Sequence, residues 1–212
     1  MIHRFAEDTA LLIIDAQVGV NVLEHWGGPT GRRNSPAAEE RMRELLDRWR
    51  AAAKPVFFTR HDSREPRSPL KVALPTGAFI SGLGPRGHEV VIVKDVNGGF
   101  IGTNLDIQLR RARITRLVVA GFFTNMCVET TVRHGGNLGF DVYLAEDACA
   151  TTNRIGFDGT DHDPETVHAL SVASMHGEFC TALRSSDALS LLQADAGHLR
   201  RAAGNRSEQE IE

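Results

Sequence analysis

Three side chains able to do acid, base or nucleophile chemistry fall at the carboxyl ends of expected strands: Asp15, Lys94 and Cys127. Cys127 lies in the first turn of an expected helix that follows a strand and a short loop. Unpaired backbone N–H groups there, with the helix dipole, stabilise a thiolate. The same N–H groups can hold an oxyanion. A cysteine taken alone is more often a buried structural thiol. Cys149, in an expected loop, and Cys180, at a strand start, lack the placement of Cys127 and read as structural. Asp15 closes a strand expected to be buried, so desolvation should raise its pKa toward the range of a general base. Alone, such a carboxylate can equally cap a strand or pair with a surface arginine. Lys94 alone would be a solvated strand-end lysine. Together the three make an activated nucleophile: the base takes the thiol proton and the cation stabilises the thiolate.

The elements that must position them alternate along the chain. The run TALLII at 9–14 is almost wholly apolar and rich in β-branched residues, as in a strand buried on both faces. Further strands are expected at 56–59, 89–93, 116–120, 141–145 and 180–183. A helix is expected to begin with Ser35 as N-cap and Pro36 at its first position and to stop at Lys54-Pro55. Met42, Leu45, Leu46 and Trp49 recur in it at helical spacing. Other helices are expected over 103–112, capped by Thr103, over 125–138, ended by Gly139, over 164–175, with Val167, Leu170, Ala173 and Ser174 inward, and over 187–192. Between residues 60 and 87 runs a long proline-bearing loop, the kind that forms lids or binding walls. Strand–helix alternation predicts an α/β three-layer sandwich, a six-stranded mainly parallel sheet flanked by helices, with its crevice where the strand order reverses.

Composition narrows the function classes. The chain has 212 residues, enough for one domain with a sizeable core; residues 1–194 read as that domain and 195–212 as a polar, mobile tail. Lys and Arg total 24 against 27 Asp and Glu, so no electrostatic footprint for nucleic acid or an anionic membrane is present. No apolar run approaches the ~20 residues of a membrane span. The charged start does not read as a signal peptide, and three widely spaced cysteines do not read as a disulfide framework or a zinc site; a cytoplasmic protein with free thiols is expected.

The segments LLIIDAQ (11–17), VIVKDVNGGFIGTNL (91–105), LVVAGFFTNMCVETTVR (117–133) and GFDVYLAEDACAT (139–151) resemble the isochorismatase-like cysteine hydrolases over nearly the whole folded chain. The most specific piece is Gly-x-x-Thr-x-x-Cys-Val, here Gly121, Thr124, Cys127 and Val128. The resemblance implies Asp15 as general base, Lys94 as its partner and Cys127 as nucleophile. It implies a non-proline cis peptide between Phe122 and Phe123, with the N–H groups of Phe123 and Cys127 as oxyanion hole. It also implies a homo-oligomer, dimer or larger, acting on a small molecule.

The departures bear on substrate. The nicotinamidase branch has an Asp-x-His metal motif after its second strand. This chain has Arg60-His61-Asp62-Ser63, and adjacent side chains seldom converge on one ion, so neither metal nor other cofactor is expected. His61 weighs equally as a substrate contact and as a hydrogen-bonded loop histidine. HDSREPRSPL (61–70) and HGEF (176–179) resemble the amide-hydrolase branch containing streptothricin hydrolase. Asn97-Gly98-Gly99-Phe100 stands where relatives read Asn-Ser-Ala-Phe, and the two glycines should enlarge the space beside Lys94. Gln17, Trp26, His61, Asn97, Phe100 and Phe122 are the expected substrate contacts. Aromatics near a crevice are, however, more often ordinary packing, and His134 reads as a core or interface histidine. The expected activity is hydrolysis of a non-peptide amide C–N bond through a thioester. A vinyl-ether hydrolase of the isochorismatase type and a non-catalytic metabolite-binding relative are the alternatives.

Overall fold

The computed structural model describes residues 4–192. Six strands form one parallel sheet in the order β3-β2-β1-β4-β5-β8: β1 (Thr9–Ile14), β2 (Val56–His61), β3 (Val90–Lys94), β4 (Arg116–Phe122), β5 (Asp141–Ala150) and β8 (Thr181–Leu183). A small antiparallel hairpin, β6 (Arg154–Ile155) with β7 (Asp161–His162), lies outside it and has no counterpart among the expected elements. All six residues of β1 are buried, as a central strand of a covered parallel sheet requires. The chain winds from β1 to β2 to β3 on one side and then returns to pair β4 with the other edge of β1. The order therefore reverses between β1 and β4, and the crevice of such a sheet opens at their carboxyl ends.

Each face of the sheet carries its own apolar layer. One is closed by α2 (Ala38–Ala51), whose Met42, Leu45, Leu46 and Trp49 are fully buried, and by the helical residues 185–192. The other is closed by α3 (Leu105–Arg111), α4 (Glu129–Asn137) and α5 (Pro164–Met175). A one-turn helix, α1 (Leu23–Gly27), precedes α2. No helix among the described residues is long and apolar enough to cross a membrane. The tail expected over 195–212 lies outside the described residues.

Several boundaries moved for local reasons. α2 starts at Ala38, not at Pro36, because Ser35 takes φ 46° and its carbonyl accepts the Ala38 N–H at 3.0 Å in a preceding turn. Thr103 still receives the Leu105 N–H at 3.3 Å, two residues ahead of the first residue of α3. Gly139, at φ 84°, closes α4: its N–H bonds Gly136 O, and Phe140 N–H bonds Gly135 O. β2 runs two residues further than expected and carries His61 on the strand. β5 continues through Cys149 to Ala150 past a register shift opposite Val119 and Gly121, so Cys149 is a strand residue and not a loop one. Gly121 is obligatory there: it has φ 138°, and a Cβ would lie 2.1 Å from Ile14 O on β1.

α5 is turned by about one residue from its expected orientation. Pro164, His168, Ser171 and Met175 are buried, while Leu170 is 63% exposed. Ala169 and Ala173 on its outer side are small and apolar, so no polar face marked which side looks outward.

Candidate active site

The first element of the site is the end of β1. Asp15 follows Ile14 with φ 49°, a left-handed conformation that Asp tolerates better than most residues. Its N–H points at Thr59 O (3.3 Å) and Oγ1 (3.2 Å), and its Oδ1 accepts the Thr59 hydroxyl at 2.6 Å. Thr59 on β2 is thus the clamp that aims the carboxylate. The sequence marks it only as a polar residue in an apolar strand, two positions before His61 on the same face.

Lys94 is the last residue of β3 and is 2% exposed. Its Nζ lies 2.6 Å from Asp15 Oδ2, 2.8 Å from His61 Nδ1 and 3.2 Å from Val96 O, so all three ammonium protons have acceptors. An ammonium only donates, so His61 Nδ1 is the acceptor and the neutral ring carries its proton on Nε2. His61 Nδ1 also lies 3.7 Å from Asp15 Oδ2 and 3.6 Å from Cys127 Sγ.

Cys127 sits in a wide π-type turn, Thr124–Val128, that joins β4 to α4. The peptide between Phe122 and Phe123 at its start is cis. The turn wraps on the Phe123 carbonyl, which accepts the N–H groups of Met126 (3.0 Å) and Val128 (3.2 Å). Cys127 is 5% exposed, and its Sγ is 3.7 Å from Oδ1 of Asn97. Asn97 is exposed, so this amide joins the buried thiol to solvent.

The charges settle differently from the sequence expectation. Burial alone would raise Asp15, but the Lys94 charge beside it outweighs burial, and its pKa falls to about 2. Lys94 is raised: burial opposes its charge, and Asp15 more than compensates. The Cys127 thiol is raised by burial and by the Asp15 charge, against the pull of Lys94. The resting site is therefore carboxylate, ammonium and thiol. Cys149 and Cys180 are also raised, chiefly by burial. Acidity at rest does not single out Cys127; its neighbours do.

The other expected contacts divide. Gln17 is fully buried and spent on backbone: its Nε2 donates to His61 O (3.0 Å) and Gly77 O (3.1 Å), and its Oε1 accepts His61 N–H at 2.7 Å. It positions His61 and has no group left for substrate. Trp26 donates Nε1–H to Gly19 O at 2.9 Å and packs its ring 4.9 Å from that of Phe123. Phe122 belongs to the layer under α2, with the Arg33 guanidinium 5.2 Å above its ring, on the opposite side of the sheet from Cys127. Phe100 stacks on Phe140 at 5.8 Å within the layer under α4. These two rings are core, not pocket wall. Gly98 and Gly99 do not open space beside Lys94 either. A Cβ at Gly98 would meet Ile101 of the same loop at 2.8 Å, and one at Gly99 would meet Thr131 of α4 at 3.1 Å, so the space at both glycines is already taken by packing. His134 is half-buried and packs against Phe100 at 5.4 Å between ring centroids.

Donor atoms of Asp15, His61 and Cys127 lie within 4.8 Å of one another, a set of O, N and S that could in principle grip a metal ion. Two of those atoms already face the Lys94 ammonium at 2.6 and 2.8 Å. The cation of this cluster is supplied by the chain itself.

Residues 9–187 match the Isochorismatase domain family. The chain belongs to the isochorismatase family. This isochorismatase-family hydrolase is 38% identical to the family protein YrdC of Bacillus subtilis (strain 168), over 84% of this chain and 92% of that one. A solved isochorismatase-family structure from Chromobacterium violaceum superimposes with a TM-score of 0.84 at 42% identity, covering 90% of this chain and 97% of the other. Two relatives of named activity match shorter stretches. Nicotinamidase 3 of Arabidopsis thaliana is 29% identical over 51% of this chain and 61% of its own. The ureidoacrylate amidohydrolase RutB of Acinetobacter baylyi is 41% identical over 34% and 29% respectively. The isochorismatase-family fold is thus the one the alternation of strands and helices called for.

Proposed function

We propose that this isochorismatase-family protein hydrolyses a small-molecule amide, with Cys127 as the nucleophile. The observation that carries the reading is the thiol held 3.6 Å from His61 Nδ1, beside an Asp15–Lys94 ion pair of 2.6 Å, at the switch point of the sheet. Relatives named as a nicotinamidase and as a ureidoacrylate amidohydrolase add support.

The proton inventory shapes the mechanism. The thiol proton does not move to Asp15 at rest, because the carboxyl pKa is about 2 and the thiol is raised. Transfer must accompany attack. As Sγ bonds to the carbonyl carbon, negative charge passes to the carbonyl oxygen, where the N–H groups of Phe123 and Cys127 form the oxyanion hole. Each such donor is worth about 3–4 kcal/mol. The thiol proton passes to Asp15 and then to the departing amine as the C–N bond breaks. Water attacks the thioester, gives its proton to Asp15, and the thiol is restored as the acid product leaves. Lys94 stays charged throughout and prevents Asp15 from carrying a buried, unpaired charge.

A vinyl-ether reaction requires a group that protonates the substrate; Asp15, held ionised beside Lys94, would first have to gain that proton, and the thiol would have no covalent role. Mass spectrometry during turnover of an amide library tests the choice. An acyl adduct on Cys127, absent in Cys127→Ser, is the expected result. Retained activity in Cys127→Ala with loss in Asp15→Ala would overturn it in favour of ether cleavage.

A further inference from the structure

A second chain of buried polar groups meets the same turn from behind. Thr124 opens the turn and is 0% exposed. Its hydroxyl lies 2.9 Å from Nδ1 of His168, which α5 buries. His168 Nε2 lies 3.1 Å from Glu146 Oε2 on β5, and Glu146 Oε1 pairs with Arg184 at 2.6 Å. Thr124 is also the one residue of the Gly-x-x-Thr-x-x-Cys element that the nucleophile's own contacts leave unexplained.

Hydroxyl, imidazole and carboxylate in this order form a nucleophile, a base and an orienting acid in many hydrolases. Burial removes that role here, because a hydroxyl with no accessible surface cannot reach a substrate. What the arrangement can do is hold position. We propose that His168 is a positioning residue that anchors Thr124 and so fixes the turn presenting Cys127 and the Phe123 N–H.

The chemistry is self-consistent. Glu146 is held below the usual carboxylate range, first by its hydrogen bond with His168, so it accepts from Nε2–H. Nδ1, on the other side of the ring, is left to hydrogen-bond the Thr124 hydroxyl. A π-type turn is rare overall and is frequent at functional sites. Relaxing it to α-helical geometry would swing Cys127 by about 100°, one residue's rotation on a helix of 3.6 residues per turn. A buried hydrogen bond at the first residue of the turn opposes that relaxation. Among the described residues sequence reasoning passed over, His168 was hidden because α5 was oriented by its larger apolar side chains.

The test needs no substrate, so it stands or falls separately from the amide reading. Amide hydrogen exchange over Thr124–Val128 and the rate of Cys127 alkylation by iodoacetamide are measured in the full chain. Thr124→Val and His168→Leu remove the hydrogen bond. Thr124→Ser keeps the hydroxyl, and His168→Asn keeps an acceptor near the Nδ1 position. Expected are tenfold or greater increases in both rates for the first pair and changes below threefold for the second. Thr124→Val is nearly isosteric, so it carries the test if His168→Leu does not fold. The proposal is overturned if Thr124→Val matches the unaltered protein in both rates, or if Thr124→Ser moves them as far as Thr124→Val does.

Discussion

His61 and Lys94 are register partners on the parallel strands β2 and β3, and their side chains meet at 2.8 Å on the face that holds Cys127. The pairing makes His61 part of the charged cluster. Its lone pair takes one of the three Lys94 protons, and the remaining two go to Asp15 and the Val96 carbonyl. The imidazole thereby fixes where the ammonium sits relative to the thiol.

Removing that acceptor should weaken catalysis more than binding. An unsatisfied buried donor costs about 1–3 kcal/mol, which corresponds to roughly 5- to 150-fold in rate. His61→Leu is expected to lower kcat within that range with KM little changed. His61→Asn, which keeps an acceptor near the Nδ1 position, should recover most of it. Steady-state kinetics on an amide substrate found by screening would check this; equal losses in both variants would contradict it.

Cys127 should be sluggish toward alkylating agents in the unliganded protein. Its thiol is raised by burial and by the Asp15 charge, and only the thiolate reacts. The iodoacetamide rate at Cys127, mapped by peptide mass, is expected to keep rising above pH 9. A plateau below pH 7 would show that the resting site already holds a thiolate.

Asp15 should contribute an acid-sensitive part of the stability. Its pKa is depressed from 3.8 to about 2 in the fold, so its contribution is complete above about pH 4 and is lost as pH falls toward 2. A shift of that size is worth about 2 kcal/mol. Urea unfolding at pH 5 and pH 2.5 should show a loss in the unaltered protein that is smaller by about this amount in the double variant Asp15→Asn, Lys94→Met. Replacing both partners avoids leaving a buried unpaired charge, which costs about 3–5 kcal/mol.

Gly121→Ala should be among the most damaging single changes in the chain. The new Cβ would lie 2.1 Å from Ile14 O, on backbone that cannot step aside without parting β1 from β4. Loss of soluble protein, or a drop of more than about 3 kcal/mol by denaturant unfolding, is expected, as for other overpacked and conformationally strained sites. Gly99→Ala should be far milder, because the contact it would make is with the Thr131 side chain at 3.1 Å.

The amino-acid sequence by itself determined the layers and the chemistry-bearing positions. Buried parallel strands announce themselves as short apolar runs, which is why β1 and the cores of β2, β4 and β5 were legible. Asp15, Lys94 and Cys127 stand at or just beyond strand ends for the same reason, and the family resemblance carried by the Gly121 to Val128 element implied the cis peptide between Phe122 and Phe123. Only the tertiary structure decided how those groups share their protons. The direction of a pKa shift depends on the balance of burial against neighbouring charge, and the neighbour of Asp15 comes from a strand two places away in the sheet. Register, likewise, is a relation between distant segments, so a loop histidine in the sequence became the Lys94 partner in the fold. The same limit hid His168, whose burial followed from how α5 is turned against β5 and the turn at Thr124, and not from the apolar pattern of the helix itself.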